Sequence, residues 1–141
     1  MADDVSDFSR SMGIATSGLR AQAGRMRVIS ENIANADSTA PSAGGDPYRR
    51  KVPTFVNQLD RVLAAKTVAL GKIKPDESAF RTKYEPSNPA ADANGYVKYP
   101  NVNPLVEMTD MREAQRSYEA NLNIISATRR MIQRTLDILK T

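Results

Sequence analysis

Apolar residues recur at alternating steps of four and three through the first part of the chain, at Phe8, Met12, Ala15, Leu19, Gln22, Met26, Ile29, Ile33 and Ala36. Eight of these nine positions are apolar, and a heptad seam of that length predicts a long helix with one apolar stripe. Gln22 is the exception. A helix from Ser6 to Ala36 would be about 46 Å long, beyond a typical globular helix. The last part of the chain repeats the pattern with Met108, Met111, Gln115, Tyr118, Leu122, Ile125, Arg129, Ile132, Leu136 and Leu139. A further row, Ile124, Met131 and Ile138, widens this apolar face beyond what one partner helix covers. Asn103 followed by Pro104 reads as an N-cap and first helical residue. Acids at 107, 110, 113 and 119, followed by bases at 129, 130, 134 and 140, complement the helix dipole.

Between these seams the pattern changes. Seven of the eight prolines and six of the eight aromatic residues fall in the middle of the chain. Strand-like stretches lie around Lys51 to Val56, Thr67 to Ile73 and Ala79 to Tyr84. Pro86, Pro89, Pro100 and Pro104 predict an extended run from Glu85 to Asn103 with little regular pairing, and Asn94-Gly95 marks a tight turn. Residues 37 to 47, rich in Ser, Ala, Gly and Pro, read as a loop. The fold class expected is therefore mainly α: two long terminal helices forming a coiled-coil-like hairpin, with a small irregular β or extended middle segment. The segments are 1–36, 37–103 and 104–141.

Gly13, Gly18 and Gly24 interrupt the first helix, each costing about 0.8 to 1 kcal/mol relative to Ala, so this helix should be weak alone. Ser17, Ala21 and Gly24 form a row of small residues that would let another backbone approach, and we expect the helices to order fully only among neighbouring copies.

Composition narrows the function. The 141 residues contain no His, no Cys and no Trp, which removes imidazole bases, thiol nucleophiles, soft metal sites and disulfides. No arrangement of carboxylates, Lys, Tyr or Ser suggests catalysis, so no enzyme activity, cofactor or metal is expected. The net charge of +4 sits mainly in residues 37–103, with seven acids and ten bases. Neither helix carries the basic face that nucleic-acid binding needs, and the six middle aromatics read better as a small core than as a stacking platform. The acidic start, with Asp3, Asp4 and Asp7, predicts no cleavable signal, and the short apolar runs predict a soluble chain without a membrane span.

Specific strings add to this. Ser17-Gly18-Leu19-Arg20-Ala21-Gln22, followed by Asn32-Ile33-Ala34-Asn35-Ala36-Asp37-Ser38-Thr39, resembles the N-terminal signature of the flagella basal body rod protein family of bacterial axial proteins. The strings Asp46-Pro47-Tyr48-Arg49-Arg50-Lys51, Tyr84-Glu85-Pro86-Ser87-Asn88-Pro89-Ala90, Glu107-Met108-Thr109-Asp110-Met111 and Arg116-Ser117-Tyr118-Glu119-Ala120-Asn121 are similar to those of its proximal rod members. Two positions depart from that pattern. Asn88 stands where His is common, which points to a turn-forming role, and Pro104-Leu105 replaces a helix-favouring pair.

The resemblance implies a structural subunit of the proximal rod that assembles helically, transmits torque and lines an export channel. A soluble coiled-coil adaptor forming a closed oligomer is the alternative. The implied partners are copies of itself, other rod proteins, the basal-body adaptor and MS ring region, and the flagellar type III export apparatus in transit. The implied location is the rod in the periplasmic space, reached without a cleaved signal. Assembly seams are expected at Phe8, Met12, Leu19, Met26, Ile29 and Ile33 in the first helix and at Met108, Met111, Tyr118, Leu122, Ile125, Ile132, Leu136 and Leu139 in the second. The family motif residues are Ser17, Gly18, Leu19, Asn32, Ile33, Ala34, Asn35 and Thr39. Asn32 and Asn35 would serve as helix caps on local chemistry alone. Arg49, Arg50 and Lys51 are either a solvated run or intersubunit contacts, and Tyr84 and Tyr96 are further candidate contacts.

Overall fold

The computed structural model describes residues 2–140, with the side chains of residues 2–6 outside the description. Two long helices, α1 (Ala2–Ala34) and α2 (Pro104–Leu139), bracket a middle segment of short strands. These are β1 (Lys51–Val52), β2 (Phe55–Asp60), β3 (Ala65–Leu70), β4 (Lys74–Pro75), β5 (Arg81–Tyr84) and β6 (Tyr96–Tyr99). Each strand has one antiparallel partner, in the pairs β1 with β4, β2 with β3, and β5 with β6. Helix α2 starts as its sequence dictates. The Asn103 side chain accepts the Leu105 N–H at 3.1 Å, and its carbonyl accepts the first helical bond from Glu107. Helix α1 ends two residues before the last seam position, leaving Ala36 buried in the following turn.

The chain folds into two compact units. The first comprises residues 1–26, 54–72 and 113–141. Gly18 lies against Asn121, and Arg25 pairs with Glu113 at 3.5 Å, so the helices run antiparallel within this unit. The buried residues of these helix stretches, Ala15, Ala21, Ala114 and Thr128, are small, as close helix approach demands. The β2–β3 hairpin lies on α1. Leu63 and Leu70 sit over Gly13 and Gly24, the Ser17 hydroxyl accepts the Val68 N–H at 3.3 Å, and Arg10 donates to the Leu63 carbonyl at 2.9 Å. Gly13 and Gly24 are thus notches for this chain's own β2–β3 hairpin. The hairpin turn is held by Asp60, whose carboxylate accepts the N–H groups of Val62 and Leu63. Ala64 completes it with φ of 47°, an unusual conformation for a residue with a Cβ.

The second unit comprises residues 27–53 and 73–112. Its interior contains Val28, Ile29, Val97, Pro100 and Val102 together with two polar side chains, Asn32 and Glu107. Residues 96–99 pair fully with β5, a regular stretch inside the run from Glu85 to Asn103 that is otherwise as poor in pairing as expected. The turn at Asn94-Gly95 makes that pairing possible. Asp92 accepts the backbone N–H groups of Asn94 and Tyr96 on its carboxylate, and Gly95 adopts φ of 83°. A Cβ on Gly95 would meet the Tyr84 ring at 2.8 Å, so this position needs glycine for space as well as for conformation.

Candidate functional site: a buried polar clasp

Asn32 has no exposed surface, and all of its amide capacity is used. Its Nδ2 donates to the Lys51 carbonyl at 2.8 Å and to Glu107 Oε2 at 3.0 Å. Its Oδ1 accepts the Tyr48 hydroxyl at 2.8 Å and the Lys51 N–H at 2.9 Å. One side chain therefore ties the end of α1, the segment entering β1 and the first turn of α2. Asn35 performs the capping expected of both asparagines, donating to the Glu31 carbonyl at 2.9 Å.

Glu107, 1% exposed, is the charged member of the clasp. A buried carboxylate is tolerable only when paired and hydrogen-bonded. Arg50 supplies the pairing, with Nε donating to Glu107 Oε1 at 2.6 Å, and it reaches Asp76 at 3.4 Å and Asp110 at 3.9 Å. Burial opposes the charge on Arg50, but the hydrogen bond and charge of Glu107, then those of Asp76, outweigh it and hold the guanidinium above its ordinary range. Asp76 is held below the usual carboxylate range by the backbone and side-chain bonds from Ser78 and then by Arg50. Burial, reinforced by the charges of Glu31 and Glu107, pushes the Tyr48 phenol up to about 12. Asn101 completes the arrangement, accepting the Arg50 N–H at 2.8 Å and donating to the Asp76 carbonyl at 2.9 Å.

The neighbouring bases are engaged as well. Lys51 Nζ pairs with Glu31 and lies 5.7 Å from the Tyr48 ring centre. Arg49 stacks 4.2 Å over the Phe80 ring and donates to the Asp76 and Ser78 carbonyls. Tyr84 and Tyr96 face each other across β5 and β6, edge to face at 5.3 Å, and are 62% and 47% exposed. Nearby, Asn88 holds a turn, donating through its N–H to the Glu85 carbonyl and accepting the Ala90 N–H. Among the described residues, no three acidic side chains converge as a metal site would require.

Two of the helix segments that the clasp joins, the end of α1 and the start of α2, fall within matches to known protein families. A family model described as flagella basal body rod protein matches residues 12–40, which include Asn32. One described as flagellar basal body rod FlgEFG protein C-terminal matches residues 93–138, which include Glu107. The flagellar basal-body rod protein FlgC of Agrobacterium fabrum is 53% identical over 133 residues, covering 94% of this chain and 96% of that protein. The chain belongs to the FlgC family of flagellar basal-body rod proteins. FlgC of Bacillus subtilis is 40% identical, covering 92% of this chain and 97% of that protein, and FlgC of Salmonella typhimurium is 41% identical, covering 89% and 92%. As a member of the FlgC family, the chain is a structural subunit of the flagellar basal-body rod rather than a soluble adaptor.

The family motif residues take different places. Asn32 is the centre of the clasp, Ser17 and Gly18 make contacts inside the first unit, Leu19, Ile33 and Asn35 are half-buried, and Ala34 and Thr39 are exposed. On the seams, Ile29 is buried, whereas Phe8, Met12, Met26, Met111, Tyr118, Ile125 and Ile132 are half-buried. Met108, Leu122, Leu136 and Leu139 are exposed. The inward row of α2 is instead Glu107, Ala114, Asn121 and Thr128, one heptad apart. Apolar periodicity cannot find such a row. Its signal is small and polar residues at seven-residue spacing.

Proposed function

We propose that the two terminal helices form a coiled-coil-like hairpin in the inner layer of the proximal rod, lining its axial channel, while the middle segment packs outward against neighbours. Subunits add head to tail about a helical axis, an arrangement that stays open and builds a shaft able to carry torque. The observation that carries this reading is the apolar surface of α2, where Leu122, Ile124, Met131 and Leu136 are 42 to 52% exposed. Each such side chain taken fully out of water adds on the order of 1 kcal/mol, so a face shared among many copies stiffens the assembly. The first-helix seam residues Met12, Leu19 and Met26, also incompletely covered, join the same interface.

The partners proposed are further copies of this chain, other rod proteins, and the adaptor and MS ring region at the rod base. Tyr84 and Tyr96 offer an exposed aromatic pair for such contacts. Arg49, Arg50 and Lys51 act first within the subunit, and their partly exposed side chains are offered to neighbours as well. The chain travels unfolded through the flagellar type III apparatus without losing a signal peptide and takes its place in the periplasmic space. Among the described residues no helix is long and apolar enough to cross a membrane. The test is deletion of the gene followed by complementation. Swimming and rod assembly should be lost and then restored by the wild-type gene, and normal swimming in the deletion strain would refute the reading.

A further inference from the structure

Gln22 is singular both in sequence and in structure. It is the one polar residue among nine positions of the first seam. Its Oε1 is also the one buried side-chain nitrogen or oxygen, among the described residues, without a hydrogen-bond partner. Ala15 and Ile29, one heptad before and after it, are buried. Met12, Leu19 and Met26 on the same seam are only partly covered, and Leu122, Ile124 and Met131 of α2 are exposed. The free subunit therefore hides a polar oxygen while showing apolar carbon, the reverse of what burial favours.

We propose that Gln22 determines helix-pairing choice during assembly: its unpaired oxygen keeps the packing of the free subunit provisional, and it gains a donor when α1 repacks among helices of neighbouring copies. This rests on the rod-subunit reading above. A polar residue in an apolar helix seam lowers stability while restricting which register and which partner are acceptable. An apolar residue there would improve the isolated subunit and remove the restriction. The second copy is the occupant because its α2 exposes the apolar side chains Leu122, Ile124 and Met131, a surface that matches the partly covered apolar seam of α1.

The test uses the full-length chain with Gln22→Met, close to isosteric, and Gln22→Leu as a second variant. For the purified proteins, the urea midpoint should rise by about 0.5 M in at least one variant. In a deletion strain, subunit export should match wild type while the swimming halo shrinks by at least about twofold. Unchanged or lowered midpoints in both variants would show that the oxygen is already satisfied in the free subunit, and would overturn the proposal. A raised midpoint with a wild-type halo would overturn the assembly role, as would a halo lost together with export. Failure of the wild-type gene to restore swimming would instead remove the rod-subunit reading on which the proposal rests.

Discussion

Asn32 and Glu107, 75 positions apart in sequence, are joined by a buried hydrogen bond of 3.0 Å that links the end of the first helix to the start of the second. The bond is costly to break because each partner has further obligations, Asn32 to Tyr48 and Lys51, and Glu107 to Arg50. Replacing Asn32 with Ala takes the bonding partner from the Tyr48 phenol, the N–H and carbonyl of Lys51 and a Glu107 carboxylate oxygen. We expect a loss of roughly 2 to 4 kcal/mol, given about 1 to 3 kcal/mol for each buried group left unpaired and partial access of water. Urea denaturation of the purified chain measures it, and a loss below 1 kcal/mol would mean that the clasp is not a stabilising element. In a double-mutant cycle, Asn32→Ala and Arg50→Ala should be non-additive by at least about 0.5 kcal/mol, because both act through Glu107.

The glycine notches predict a second coupling. Gly24→Ala gains up to about 1 kcal/mol in helix propensity, but its Cβ would meet the Leu70 side chain at 2.8 Å. The substitution should therefore yield less than its helical gain in the wild-type background and more of it beside Leu70→Ala. A thermal-denaturation cycle on the four proteins reads this directly. Strict additivity would mean that the hairpin does not sit on α1 as described.

Ala64 pays for a left-handed conformation at the tip of the β2–β3 turn. Ala64→Gly should raise stability by roughly 0.5 to 1 kcal/mol, the relief of strain exceeding the added freedom of the unfolded chain. A lowered unfolding midpoint would contradict the turn geometry.

Glu85 provides a pH signature. The bonds from Lys83, Tyr99 and Asn88 pull its carboxyl down from 4.5 to about 2. The depressed value means that the contact contributes to folding above the unfolded carboxylate range and loses that contribution as pH falls through about 2. Carboxyl NMR should show Glu85 still ionised at pH 3.5, when an ordinary glutamate is mostly protonated. Titration near 4.5 would remove the Lys83 and Tyr99 contacts from the account.

Much of this architecture was legible in the residues themselves. Alternating three and four spacings marked both helices, and Asn103-Pro104 marked the start of α2, because capping and periodicity are local. Asn94-Gly95 located the turn but not the strand that follows it, since Tyr96–Tyr99 pairs with residues a dozen or more positions away. The clasp was hidden for a related reason. Glu107 reads as an ordinary first-turn acid, and only the convergence of Asn32, Tyr48 and Arg50 makes it a buried ion. The inward row of α2 was hidden because Ala114, Asn121 and Thr128 are small or polar, and burial by close helix approach leaves no hydrophobic signal.

The most direct test of the central claim is an electron-microscopy map of isolated basal bodies at side-chain resolution. Two long antiparallel helices of this chain are expected at the inner radius of the rod, with the α2 side chains Leu122, Ile124 and Met131 buried between subunits. Helices lying at the outer radius, or those side chains facing solvent in the assembled rod, would contradict it.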